Sequence, residues 1–516
     1  MQQSQSKQQV GGILGFIERI GNKIPDITIL FISAFLLVCV VSAVLAQIHF
    51  NYVHPATSRP IEITNMLSGK ALVDLMSKMV TNYANFPPLS MVIVATLGIG
   101  IADGSGYINT GLKKILSITP KVLITPVVIL VGMLSHLGPD SGYVIIIPIA
   151  AYMFYAVGKH PLAGIAASFA GIAGAFAANY TPSAIDPVIQ GFTQSAAQII
   201  DPGYQVNVLC NYFYAFASTF IVIGACWWVT EKITNPWLWK ACPLDDDLDL
   251  GNENNSSITP SENRAFKIAT AVLLLMLTGL AAALYPADSI LRAPDGVIAS
   301  FKAPIMQSIV SLIFIFAALV GLVYGIACGK FKSPKDVTAA MEEITKTLVQ
   351  LIVFYFFAAQ FLYAFGASNM GALIAVSGAE FLKSLNLPPQ VTVFGIIVFV
   401  ALLNLIITSA SAKWAILAPI FVPMLMAVGI APELTQVAFR VSDSAVNVVT
   451  PMFAFYPLII LYCQKYVKNA GIGTLSSMML PYTIALLVSL TFMLYLFWWL
   501  DIPLGFQADY VYPRRF

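Results

Sequence analysis

The chain has 516 residues, of which 58% are hydrophobic and only 10% charged, and its mean hydropathy is +0.81. This balance excludes an ordinary soluble globular domain and is typical of a polytopic membrane protein. The formal net charge of +2 and the scattered basic residues give no indication of a nucleic-acid partner.

Apolar runs of the length of one spanning helix, roughly 20 residues, recur along the chain. They lie near 27–48, 121–137, 209–230, 265–285, 301–328, 390–408 and 477–500. Lipid offers no partner for exposed backbone groups and the runs are too long for barrel strands, so we predict an all-α polytopic fold. The segments 71–117 and 340–385 stay open, because each can span, span twice or re-enter. The six cysteines are isolated and are interpreted as packing residues.

Residues 1–26 are predicted to form a cytoplasmic N-terminal segment. The apolar run that follows is long enough for a full span, which favours a retained helix over a cleaved signal peptide. Lys7, Arg19 and Lys23 precede this run, so the positive-inside tendency places the N-terminus in the cytoplasm. An acidic polar loop, 242–264, separates a first membrane half, 27–241, from a second, 265–516.

The two halves contain similar segments, "SGYVIIIPIAAYMFYAVGKHP" from residue 141 and "AKWAILAPIFVPMLMAVGIAP" from residue 412. The ungapped matches include four pairs: Tyr143 with Trp414, Pro148 with Pro419, Gly158 with Gly429, and Pro161 with Pro432. After a two-residue shift, Thr181-Pro182 meets Thr450-Pro451. This ordered set of prolines and glycines indicates an internal repeat.

Each copy combines small polar residues with an apolar stretch too short for a span, near 138–160 and near 408–432. We therefore predict two re-entrant helical hairpins with buried polar tips, followed by broken transmembrane helices. The turn "VGKHP" is basic and "VGIAP" is not, so the positive-inside tendency predicts inverted repeats.

Three charged residues, Asp186, Arg440 and Asp443, lie in these broken segments, where charge is costly and usually functional. Arg440 and Asp443 are three apart, so on a helix they share one face and can pair; a purely structural ion pair is the alternative. Asp186 lies between two prolines that free backbone carbonyls, which favours a cation site, and a water-facing loop end is the alternative.

Asn179 and Asn447 each precede a Thr-Pro break, so each half has an asparagine, a break and an aspartate, whereas Arg440 has no counterpart. Asn179, Asp186 and Asn447 are our candidate sodium ligands, with helix capping as the alternative for the asparagines. No other cofactor is predicted.

The hairpin tips carry oxygen and aromatic groups. Asp140, Ser141, Ser409 and Ser411 offer oxygen ligands. Tyr143 and Trp414 are expected as aromatic walls of a site, or else as core residues. His136 is a proton relay or, alternatively, a packing residue.

No nucleotide-binding loop of the P-loop type occurs, which argues against ATP-driven transport. Three hypotheses remain: a secondary transporter, a passive anion channel, and an intramembrane hydrolase. The Gly-x-Gly-Asp signature of intramembrane aspartyl proteases is absent around Asp186 and Asp443, and the repeat favours alternating access.

Through "SHLGPD", "VGKHPLAG", "SAKWAILAPIFVPM" and "FRVSDS", the chain resembles the p-aminobenzoyl-glutamate transporter family over essentially its whole length. The resemblance implies an inner-membrane homodimer that moves folate catabolites by ion coupling, and in some members sulfonamide export. It places the functional positions at Asp186, Ser411, Trp414, Pro432, Arg440, Asp443 and Pro451. Departures around "SAVNVVTPMFAF" and "NYTPSAIDP" leave the substrate and the direction open.

The resulting hypothesis is a transporter for a small anionic aromatic substrate. Arg440 holds a substrate carboxylate bidentately, while Trp414 and Tyr143 stack on the aromatic ring. Ser411, Asp443, Pro432 and Pro451 complete the substrate site. Sodium or a proton is taken up by a second set: Asp140, Asn179, Asp186, Asp443 and Asn447.

Overall fold

Helices form nearly all of the regular secondary structure in the computed structural model, which describes residues 26–53, 59–135, 141–183, 185–245, 258–300 and 302–513. The first half contains α1 Ile27–Leu45, α2 Gly69–Ala84, α3 Pro87–Ser105, α4 Tyr107–Ser117, α5 Ile124–Leu134, α6 Ser141–Ala156, α7 Pro161–Ala173, α8 Ile185–Ala197, α9 Tyr212–Val229 and α10 Asn235–Ala241. The second contains α11 Pro260–Leu284, α12 Pro304–Gln307, α13 Ile309–Ala327, α14 Pro334–Ala367, α15 Met370–Ser384, α16 Pro389–Asn404, α17 Ala410–Met426, α18 Pro432–Val446, α19 Tyr456–Gln464 and α20 Ile472–Trp499. The described residues form isolated β-bridges but no strand, so the all-α prediction is confirmed.

Within the described residues, seven helices are long and apolar enough to cross a membrane. They are Ile27–Leu45, Gly69–Ser105, Tyr212–Ala241, Pro260–Leu284, Ile309–Ala327, Pro334–Ala367 and Ile472–Trp499, where Gly69–Ser105 joins α2 with α3 and Tyr212–Ala241 joins α9 with α10. The number of spans rises to eight if α15 and α16 count as one broken helix, with a bend of 117° at the break between them. The protein is therefore a multi-pass membrane protein, as the composition predicted.

Two details of the predicted organisation differ from the structure. The run 121–137 gives only a short helix in its described part, Lys121–Leu134. The polar loop predicted to end at residue 264 ends earlier, because α11 already begins at Pro260. Thr259 and Glu262 form a capping box that satisfies two backbone donors at that helix end.

The two repeat copies turn in the same way between their paired helices. Gly158, between α6 and α7, has φ +78°, and Gly429, between α17 and α18, has φ +89°. The residue after each glycine donates its backbone N–H to the fifth residue before it, Lys159 to Phe154 and Ile430 to Leu425, both at 2.9 Å. Only glycine adopts such a left-handed backbone without strain, so the matched glycines of the sequence are matched turns.

The packing of the two copies is exchanged between the halves. The helix within the second predicted hairpin, α17, packs on α8 of the first half, and the helix within the first, α6, packs on α19 of the second half. The helix before each predicted hairpin packs on the helix after it, α5 on α7 and α16 on α18. This reciprocal arrangement brings both hairpins and both helix breaks into one buried centre, with α3 and α14 alongside. All six cysteines, which lie within the described ranges, are free.

Candidate functional site

A cavity of about 500 Å³ lies where the two hairpins and the two helix breaks meet. Its volume falls in the range of roughly 300–1,000 Å³ that is typical of small-molecule sites. The start of α6 contributes Gly142 and Tyr143, and the start of α17 contributes Ser409 and Ser411. Both helices thus present their N-terminal ends, which carry partial positive charge, to the cavity.

One wall of the cavity is aromatic. The rings of Tyr143 and Phe455 stack with centroids 4.2 Å apart and an interplanar angle of 5°. The ring centroid of Phe453 lies 5.7 Å from that of Tyr143. Phe176 and Tyr355 also line the cavity. Flat rings of this kind offer a surface on which an aromatic ligand can stack.

A buried ion pair at the cavity wall ties three helices together. Lys413 Nζ of α17 lies 2.6 Å from Asp443 Oδ1 of α18, and the two side chains are 1% and 0% exposed. The same ammonium donates to Asn404 Oδ1 of α16. Asp443 and Asn447 line the cavity, whereas Lys413 lies behind them.

Side-chain amides complete this network. Asn404 Nδ2 donates to the backbone oxygen of Asp443 at 2.8 Å and to Asn447 Oδ1 at 3.1 Å. Asn447 Nδ2 donates to Asp443 Oδ2 at 3.1 Å. A charge pair in a low-dielectric interior needs such satisfied partners, because an unpaired buried charge costs several kcal/mol.

A second ion pair lies next to the cavity. Arg440 Nη1 is 2.7 Å from Asp186 Oδ1, and Arg440 Nη2 donates to the backbone oxygen of Phe176 at 3.1 Å. Asp186 Oδ2 accepts from the backbone N–H and the hydroxyl of Ser183 at 2.8 and 3.1 Å. The Arg440–Asp443 pair that the three-residue spacing allows is therefore not the pair that forms.

A model of the AbgT putative transporter family matches residues 12–512. The chain is 32% identical over 511 residues to the p-aminobenzoyl-glutamate transport protein of Escherichia coli K12, which covers 99% of this chain and 98% of the relative. The chain belongs to the AbgT family.

Two solved AbgT-family transporters share its fold. The YdaH transporter of Alcanivorax borkumensis, described as having an unusual topology, is 37% identical, with a TM-score of 0.87 over 93% of this chain and 100% of that chain. MtrF of Neisseria gonorrhoeae, which is described as illuminating a class of antimetabolite efflux pumps, is 39% identical. Its TM-score is 0.90, over 96% of this chain and 100% of that chain. As an AbgT-family member, the chain is a transporter and not an enzyme.

Some of the positions suggested by the family resemblance lie outside the large cavity of this AbgT-family chain. Trp414 is fully buried, stacks on Phe439 at 4.5 Å and donates from Nε1 to Thr193 Oγ1 at 2.9 Å. Pro432 is the first residue of α18, where a missing N–H costs nothing. Pro451 follows Thr450, whose hydroxyl donates to the backbone oxygen of Leu405 at 2.8 Å. These positions shape the helices around the cavity.

The three candidate sodium ligands are not brought together as one group. Asn179 and Asp186 line a small void of about 10 Å³ with Arg440, whereas Asn447 belongs to the Lys413 network. Asn179 Oδ1 accepts from Thr181, so it forms a local turn. Among the described residues, no group of three His, Cys, Asp or Glu side chains could hold a metal ion.

The two aspartates are not equivalent either, because Asp186 follows the break of its half and Asp443 precedes the break of the other. His136 and Asp140 lie outside the described residues, as does the side chain of Ser141.

Lys413 is the functional candidate that the sequence reasoning missed. It lies within the "SAKW" segment, whose tryptophan drew attention, and a charged residue in so apolar a stretch is by default functional. Applying that rule to every charge in the repeat would have found it. Glu433, also fully buried, accepts a hydrogen bond from the Tyr204 hydroxyl at 2.9 Å and was missed in the same way.

Proposed function

We propose that this AbgT-family protein is a secondary active transporter that moves p-aminobenzoyl-glutamate, or a related folate catabolite or antimetabolite such as a sulfonamide, together with a proton. It acts in the inner membrane as a homodimer with inverted repeats and a cytoplasmic N-terminus. The name of the curated relative supports the substrate class, and the description of MtrF supports the antimetabolites. The observation that carries the coupling is the Lys413–Asp443 pair at the cavity wall.

The cavity suits an aromatic anion. The ring of the substrate stacks on the aromatic wall formed by Tyr143 and Phe455. Its carboxylates are held at the N-terminal ends of α6 and α17, where Ser409 and Ser411 add hydroxyl donors. Arg440, our first candidate for this task, already neutralises Asp186, so in this proposal it positions the first helix break through the backbone of Phe176.

Asp443 controls whether an anion can enter. With Asp443 ionised, the four charges of Asp186, Lys413, Arg440 and Asp443 sum to zero, and a carboxylate forms part of the cavity wall. Two like charges 4 Å apart repel by about 4 kcal/mol at an effective dielectric constant of 20. Protonation of Asp443 removes that repulsion and leaves the Lys413 charge uncompensated behind the wall. Proton binding and anion binding therefore favour each other.

Sodium is a poorer fit to the same groups. Each of the two aspartates already binds a cationic side chain, so a sodium ion would have to displace Lys413 or Arg440, or share one carboxylate with it. A proton needs no coordination shell, and neutralising Asp443 breaks only one ion pair. We therefore propose proton coupling in the same direction as the anion.

The decisive measurement is uptake of labelled p-aminobenzoyl-glutamate into proteoliposomes under an imposed proton gradient, a sodium gradient, or neither. We expect the inward proton gradient to raise the initial rate at least about tenfold and the sodium gradient to have no effect. Binding in detergent should tighten as the pH falls, by up to about tenfold per pH unit, and should take up protons from the medium, because linkage is reciprocal.

Asp443→Asn should abolish the acceleration by the proton gradient, whereas Asp501→Asn, which alters an exposed aspartate after α20, should not. Sodium-driven uptake or proton release on binding would contradict the coupling. Rapid flux that no gradient accelerates would indicate a channel, and a cleaved product in detergent would indicate a hydrolase.

A further inference from the structure

A groove with a cationic rim lies on the outside of the first half and shares no lining residue with the central cavity. A cavity of about 630 Å³ opens between the turn of the first hairpin, the residues before α5 and the last turn of α9. Its basic residues are Lys121, Lys159 and Lys232, and its floor includes Gly224. Trp228, on its wall, is 59% exposed.

The groove continues into an apolar one. A second cavity of about 400 Å³ shares Trp228 with the first and extends along α20 past Leu480, Ile484 and Val488. These three side chains are 50%, 57% and 63% exposed. One end of the combined groove is therefore cationic and the other apolar, and the long apolar helices α9 and α20 form its sides.

The charge of the cationic end is not internally balanced. Lys159 forms an ion pair with Glu231, which also accepts from the Thr125 hydroxyl at 2.6 Å, so these two charges cancel. Lys121 and Lys232 are exposed, and neither forms an ion pair with another described residue. Two uncompensated cations beside exposed tryptophans are typical of the interface between membrane and water.

We propose that this groove binds an anionic phospholipid, whose phosphate lies between Lys121 and Lys232 and whose acyl chain lies on Trp228 and along α20. Charge complementarity selects the headgroup, since each lysine near an anionic membrane surface contributes about fivefold to binding. The apolar half requires acyl chains, so a free phosphate satisfies only part of the groove. The lipid headgroup would also contact the turn of the first hairpin through Lys159.

Native mass spectrometry of the full-length protein in detergent tests this proposal. The protein is exposed to equal concentrations of phosphatidylglycerol and phosphatidylcholine, and in a separate arm to phosphatidylglycerol in competition with inorganic phosphate. We expect preferential retention of phosphatidylglycerol that inorganic phosphate does not displace. The double variant Lys121→Gln, Lys232→Gln should lose that preference, with about a fivefold reduction for each lysine.

Gly224→Leu adds a side chain to the lining of the groove, at a position where a Cβ meets no atom within 4 Å. We expect it to lower retention of both lipids at this site. Gly279→Leu on α11, where a Cβ also meets nothing within 4 Å, is the matched control and should leave retention unchanged. Three results would overturn the proposal: unchanged lipid preference in the lysine variant, displacement of lipid by inorganic phosphate, or a Gly224→Leu variant that changes only the number of subunits.

Discussion

The two repeat copies share a backbone but not a charge pattern. Their turns have the same left-handed glycines and the same hydrogen bonds. In the same register, the four charged residues from Lys413 to Asp443 match small or apolar residues of the first copy: Lys413 matches Gly142, Glu433 matches Leu162, Arg440 matches Phe169, and Asp443 matches Ile172. The two copies thus share the geometry of the turn and differ in their charged residues.

This difference divides the work of the cavity between the copies. The first copy supplies Tyr143 to the aromatic wall, whereas the second supplies Asp443 and, behind it, Lys413. The first half still contributes one charge, Asp186, but it lies after the helix break and neutralises Arg440 of the second copy. In our proposal the second copy performs the ion coupling, whereas both copies contribute to the substrate site, Tyr143 from the first and Ser409 and Ser411 from the second.

Removing Lys413, the cation paired with Asp443, should have the largest effect. Lys413→Met leaves the Asp443 carboxylate buried without its partner, which should lower the free energy of unfolding by about 3–5 kcal/mol and abolish proton-driven uptake. Denaturation in detergent and proteoliposome uptake measure the two effects. Lys413→Met combined with Asp443→Asn should recover most of the stability but none of the coupling.

The Arg440–Asp186 pair provides the control. Arg440→Gln alone should also be unstable, because it strands a buried carboxylate. Arg440→Gln combined with Asp186→Asn should recover stability and keep uptake that an inward proton gradient accelerates. If this double variant lost the acceleration and the Lys413–Asp443 double variant kept it, the roles of the two pairs would be reversed.

The contrast between these pairs also marks what the sequence could predict. The hairpin turns depend on local signals, Gly158 and Gly429 followed by proline, and the structure has both turns where the repeat placed them. The partner of Arg440 could not be read in this way, because a spacing of three says only that two residues share a helix face. The choice of Asp186 over Asp443 depends on which helices pack together, which is a property of the tertiary fold.

The lengths of the helices were the second feature that the sequence predicted poorly. The run 121–137 has the composition of a span, but its helix ends at Leu134 within the described residues. Conversely, α14 has 34 residues and begins with a charged stretch. Because of those charges, its sequence was not predicted as an apolar span. Burial of Trp414 was equally invisible, because an aromatic residue beside a hairpin tip can face either the cavity or the core.

A smaller effect is expected at the aromatic wall. Tyr143→Leu removes the ring that stacks on Phe455 and, in our proposal, on the substrate. An aromatic pair contributes about 0.5–1.5 kcal/mol beyond the area it buries, so KM for p-aminobenzoyl-glutamate should rise about three- to tenfold. The acceleration by the proton gradient should remain.

Trp414→Phe is the matched variant in the second copy. It keeps a ring against Phe439 but loses the hydrogen bond to Thr193, so stability should fall by about 1 kcal/mol with KM unchanged. The opposite pattern, with KM raised by Trp414→Phe and unaffected by Tyr143→Leu, would move the substrate ring to the second copy.

The smallest effects should be equal in the two copies. Gly158→Ala and Gly429→Ala each force a Cβ into the left-handed region, which costs about 1 kcal/mol. No atom lies within 4 Å of a Cβ at Gly158, and at Gly429 only the Tyr512 oxygen does, at 3.6 Å. Backbone strain is therefore the main cost at both sites. Gly279→Ala, within α11 and equally uncrowded, should instead stabilise by roughly 0.5–1 kcal/mol. Unfolding in detergent measures all three. Equal losses at the two turns would mean that the copies differ in charge but not in backbone energetics, whereas a large loss at only one turn would show that the divergence reaches the backbone as well.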